Sequence, residues 1–114
     1  MSLSTIERQQ LISAVIGDRN VDTVDVRKIT LAAGQKTGRH LHPCPVVGYI
    51  ASGTGFYQIE GEPAQLLPVG SAFYEPARRV ISEFGNASDV TSLTFIAFYL
   101  LDGEQGLITM LENK

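Results

Sequence analysis

His40 and His42 are the only two histidines in the chain, and a single residue separates them. A strand projects residues i and i+2 from the same face, so both imidazoles aim at one point. Imidazole nitrogen ligates zinc, iron, nickel and copper, and a bond to zinc needs only about 2.0–2.1 Å of reach. The pair is a candidate divalent-metal site. Two residues on, Cys44 lies between Pro43 and Pro45, which favour a turn that takes its thiol off the common face. Cys44 is therefore expected as a small buried core residue, with a role as extra ligand as the alternative. Glu75 precedes Pro76, which keeps it extended. Strand alternation sends its carboxylate either to a cavity mouth, as a polar contact or further ligand, or into solvent, the commoner place for a carboxylate. A Cys-His nucleophile pair has no orienting third group in the sequence, and no catalytic residue is assigned.

These residues need a scaffold, and 114 residues are enough for one domain, 1–114, with its own core. A lone cysteine excludes an internal disulfide and fits a reducing, cytoplasmic setting. The opening residues lack the basic and apolar regions of a secretory signal. The longest apolar run, 93–101, falls far short of the roughly 20 residues of a membrane-spanning helix. Nine basic residues against twelve acidic ones, mostly scattered, disfavour a nucleic-acid partner.

From residue 24 onward, branched and apolar runs are cut every few residues by Gly, Pro, Asn or Asp. The pattern predicts strands over 24–31, 46–51, 55–60, 64–67, 71–74, 79–84, 92–101 and 106–111, an all-β sandwich or barrel. Ahead of them, Ser4 and Glu7 have capping-box spacing and predict a short helix from Thr5, with Ile6, Leu11, Ile12 and Val15 on its apolar side. Residues 12–16, rich in branched side chains, fit an edge strand equally well. The last long strand is apolar on both faces, with Phe95, Ala97 and Tyr99 on one and Ile96, Phe98 and Leu100 on the other. Its second face needs cover, either from another subunit in a homodimer or from the N-terminal segment.

Gly34, His40, His42 and Gly53 fall in the register of the first motif of the cupin superfamily, which the chain resembles across roughly residues 25–101. Gly70 and Pro76 match the second motif. The resemblance implies a single-domain cupin double-stranded β-helix, a jelly-roll barrel with its site inside the wide mouth. Cupins that hold metal usually use three histidines and one glutamate; here the glutamate position holds Val46 and the third histidine position holds Ile81. Arg78 stands where that second motif has a glycine. By the alignment Val46 and Ile81 face the cavity, and Ile50 and Gln58 are further pocket-lining candidates. The resemblance thus implies a degenerate site on His40 and His42 for one divalent ion, zinc, iron, nickel or manganese, with a small molecule bound in the barrel mouth.

Three functions are open at this level. One is a metal-dependent enzyme of isomerase or dioxygenase type, which needs a third protein ligand or a chelating substrate. Another is a binding module whose histidines orient a small ligand in an apolar pocket. The third is a non-catalytic dimeric scaffold, which requires a barrel filled by side chains.

Overall fold

The computed structural model describes residues 5–103 and 106–112, and these contain strands but no helix. Nine strands follow one another: β1 Thr23–Leu31, β2 His40–Leu41, β3 Val46–Ser52, β4 Gly55–Ile59, β5 Gln65–Leu67, β6 Ala72–Glu75, β7 Ile81–Asn86, β8 Leu93–Leu101 and β9 Thr109–Met110. They form two antiparallel sheets, ordered β1-β8-β3-β6 and β5-β4-β7-β2-β9, whose inner faces enclose the core of a jelly-roll barrel. Eight of these strands lie where the pattern predicts them, within a few residues except for β9, which is shorter. The ninth, β2, is two residues long and bounded by Gly38 and Pro43, too short for periodicity to register.

Alternation decides which side chains reach the interior. Along β8, Leu93, Phe95, Ala97, Tyr99 and Leu101 are buried while the residues between them are half-buried. The predicted split of this strand into two apolar faces is what the fold contains. Inside the barrel, the rings of Phe73, Phe84 and Phe95 meet at centroid distances of 4.8 to 6.0 Å, within the range of favourable aromatic pairs. Gly48 makes room for this cluster: a Cβ at that position would collide with the ring of Phe73. Gly53 has φ +83°, and a Cβ there would lie 2.5 Å from the carbonyl oxygen of Ser92, so the turn into β4 admits only glycine.

Two expectations fail. No helix starts at Thr5, and residues 12–16 form no strand; Ser4 lies outside the described residues. Ile6, Leu11, Ile12 and Val15 are exposed. A short helix is marginal unless an apolar face packs, and these four side chains stay in solvent. The chain joins the barrel at its end, where the Asp22 N–H donates to the Leu101 carbonyl. Among the described residues no helix is long and apolar enough to cross a membrane.

Candidate metal centre

β2 is brief but fixed on both sides. His40 pairs with Ile81 of β7 and with Met110 of β9, so the histidine strand lies between them. The rings of His40 and His42 stand 5.0 Å apart at 80° to each other, both buried, as the i and i+2 spacing requires. Each ring is oriented by a backbone carbonyl: His40 Nδ1 donates to Gly38 at 2.7 Å and His42 Nδ1 donates to Leu107 at 2.6 Å. Placing the protons on Nδ1 leaves both Nε2 lone pairs facing inward, the arrangement that metal-ligating histidines use. Gly38 is itself anchored, because its N–H donates to Glu83 at 2.8 Å.

The third member of the cluster is Glu75. Its Oε1 is 3.5 Å from His40 Nε2 and its Oε2 is 3.0 Å from His42 Nε2, and the carboxylate is only 5% exposed. The ligand atoms of His40, His42 and Glu75 lie within 4.8 Å of one another. The solvent placement expected for Glu75 is therefore wrong, and the cavity alternative holds. Register supplies the reason: Glu75 on β6 is paired directly with Val46 on β3. Val46 occupies the position where the motif has its glutamate, so the carboxylate has moved one strand sideways while remaining on the same inner face.

This trio fits a divalent cation. His42 Nε2 and Glu75 Oε1 are buried without a hydrogen-bond partner, even though His42 Nε2 lies at ion-pair distance from the other carboxylate oxygen. An imidazole protonated on Nδ1 presents a lone pair to a carboxylate, and two acceptors in contact call for a cation between them. Burial pushes the His40 pKa down, but the close contact with the Glu75 carboxylate, the hydrogen bond to Gly38 and the charges of Glu75 and Glu83 outweigh it, and the pKa rises. Burial pushes Glu75 up, yet the close polar contacts and charges of the two histidines hold it below its ordinary value. Two histidines and one carboxylate with room beside them match the three-ligand sites of non-haem iron, and also suit zinc or manganese.

Above the trio lies a cavity of about 230 Å³. Ile29, Phe84, Phe95, Ala97 and Ile108 form its apolar wall, and Thr37 and Tyr99 are its other polar side chains. The Tyr99 ring meets His42 edge-on at 5.8 Å; burial and the Glu75 charge push its hydroxyl pKa up to about 12. Ile108, 45% exposed, belongs to the C-terminal segment that crosses β2 and carries the Leu107 carbonyl.

The lining residues proposed from the sequence sit elsewhere. Val46 and Ile50 face inward along β3 but are buried in the core, and Ile81 is buried opposite His40. Val46 is flanked by Glu75 and Tyr99, which both line the cavity, while Val46 itself is buried in the core. Gln58 alternates with the buried Tyr57, so it points outward, where its amide donates to the Glu62 carbonyl. Cys44 is fully buried in the core and is not part of the ligand cluster. Arg78, at the motif's glycine position, keeps the left-handed backbone with φ +61°, and its N–H donates to the His42 carbonyl at 2.8 Å. The loop that braces His42 thus survives the loss of its glycine.

A family model described as Cupin domain matches residues 27–99. The chain belongs to the cupin family. A cupin-like protein of Thermotoga maritima is 27% identical, with a TM-score of 0.67 over 77% of this chain and 64% of that one. The DMSP lyase DddQ of Ruegeria pomeroyi superposes with a TM-score of 0.68 at 18% identity, over 78% of this chain and 43% of the lyase. An oxalate oxidase in complex with the substrate analogue glycolate gives 0.65 at 19% identity, over 77% of this chain and 46% of the oxidase. This cupin therefore spans under two thirds of each of these chains, and the latter two likenesses concern the fold alone. A search of curated proteins returned no match.

Proposed function

We propose that this cupin is a metal-dependent protein in which His40, His42 and Glu75 hold one divalent ion at the base of an apolar cavity that takes a small molecule. The observation that carries the reading is the buried Glu75 carboxylate, which supplies the third protein ligand that a two-histidine site lacks. When bound, the ion supplies Lewis acidity toward an oxygen of the ligand. The chain's own residues do the rest. Gly38 and Leu107 fix the tautomers of the two histidines, and the aromatic and aliphatic walls exclude water from the ligand's body. A scaffold role is less well supported, because the barrel retains a cavity of about 230 Å³.

Metal uptake tests this directly. Untagged protein stripped of metal and titrated with zinc or cobalt should take up one equivalent, and Glu75→Gln and His42→Ala should each weaken uptake by about 100-fold or more, beyond the roughly 10–100-fold of a lost outer-shell contact. Uptake that is absent, or indifferent to both substitutions, would contradict the reading. The half-buried outer face of β8, Ile96, Phe98 and Leu100, lies beside the exposed Val24 and Val26 of β1, and this supports a homodimer. Light scattering on the eluting protein should give twice the chain mass, and Phe98→Glu should return it to one.

A further inference from the structure

The cavity's charge and lining define a ligand class, an inference that rests on the metal reading above. We propose that the site selects a small monoanion that chelates the ion through two oxygens and buries a compact apolar body. Charge sets the first limit. A divalent cation with one carboxylate and two neutral imidazoles leaves a single positive charge, and among the described residues neither lysine nor arginine lines the cavity. Glu83, whose carboxylate accepts from the Gly38 N–H at 2.8 Å, adds negative charge behind the site. A monoanion neutralises the centre, whereas a second anionic group has to lie against Phe84, Phe95 or Ile29 with no partner, an arrangement that is strongly disfavoured.

The walls set the second limit. Thr37 donates its hydroxyl proton to the Phe84 carbonyl at 2.6 Å, so among the described residues Tyr99 is the remaining side-chain donor that lines the cavity outside the ligand trio. A molecule attached through one oxygen has little to stop it from spinning; two oxygens on the ion fix its orientation with no help from the walls. Size sets the third limit, since a cavity of about 230 Å³ lies below the roughly 300–1,000 Å³ of pockets that take drug-sized ligands. An α-oxygenated, branched, short-chain monocarboxylate meets all three.

The test uses the full chain loaded with cobalt(II), whose visible spectrum reports inner-sphere exchange independently of any activity. Four probes are titrated: 2-oxo-3-methylbutanoate, 2-hydroxy-3-methylbutanoate, 3-methylbutanoate and 2-oxopentanedioate. The two α-oxygenated branched acids should bind about tenfold or more tighter than 3-methylbutanoate, which lacks the second oxygen, and than 2-oxopentanedioate, which adds a second carboxylate. Ile108→Arg places a cation at the exposed mouth without touching the ligand trio, and it should raise the affinity for 2-oxopentanedioate by about tenfold. Equal binding of the dianion by the unaltered protein, or indifference to the second oxygen, overturns the inference while leaving the metal site standing. Failure to take up cobalt overturns both.

Discussion

Moving the carboxylate back across the sheet tests whether Val46 and Glu75 are interchangeable places for one ligand. The two are direct register partners on β3 and β6, so their Cβ atoms are about 5 Å apart on the same face. Glu75→Val leaves two imidazoles and no charge in the cluster. Losing a direct ligand should exceed the 10–100-fold that a lost outer-shell contact costs, so the expected drop in metal affinity is about 100-fold or more, roughly 2.8 kcal/mol. In Val46→Glu/Glu75→Val the root of the side chain shifts by one strand spacing, about 4.8 Å, and the flexible glutamate chain can swing its oxygens back toward both Nε2 atoms. The double variant should therefore regain about tenfold, roughly 1.4 kcal/mol, over Glu75→Val. Competition of each protein with a chelator for zinc, followed by calorimetry, measures the difference, and thermal unfolding confirms that each variant is folded. A double variant no better than Glu75→Val would refute the sideways relocation, and a Glu75→Val protein that binds zinc normally would remove Glu75 from the site.

Gly48→Ala should lower stability by about 1–3 kcal/mol in urea denaturation, because the added methyl displaces the Phe73 ring from the aromatic cluster. Arg78→Gly should raise stability by up to about 1 kcal/mol, since relief of a left-handed residue worth roughly 1–2 kcal/mol exceeds the added entropy cost of glycine, roughly 0.5–1 kcal/mol. Burial, then the charges of Glu75 and Glu62, raise the Tyr57 pKa well above its ordinary 10.0, and Tyr99 is pushed up to about 12. A raised pKa in the folded state means that the stabilising contribution is complete below pH 10 and is lost as pH rises above it. Chemical unfolding between pH 9 and about 12 should show a falling alkaline limb that Tyr99→Phe flattens, and Tyr57→Phe should flatten it too while costing about 1 kcal/mol at neutral pH for the lost bond to the Tyr74 carbonyl.

The barrel was legible because its punctuation is chemical: Gly34, Gly53 and Gly70 all have positive φ, and a sequence displays glycine directly. The histidine pair was legible for the same reason, since i and i+2 spacing needs no knowledge of distant strands. Glu75 was not, because its role depends on pairing with Val46 across β3 and β6, and strand register is absent from a linear reading. The available signal was a carboxylate in the second motif accompanying an aliphatic residue at the glutamate position of the first. Val46 and Ile81 are paired with Glu75 and His40 and are buried in the core rather than lining the cavity, a matter of packing that spacing along the chain does not display. Gln58 failed on parity, since Tyr57 takes the inward place. The N-terminal segment followed local capping rules, and a helix that buries nothing lacks the tertiary contacts that stabilise one.

The proton on His42 is governed by the Leu107 carbonyl, 65 positions further along the chain. During synthesis the imidazole emerges long before the group that steers it, so a nascent barrel offers a ring free to adopt either tautomer. The orientation of this ring is then acquired late, once residue 107 has emerged and β9 has paired with β2.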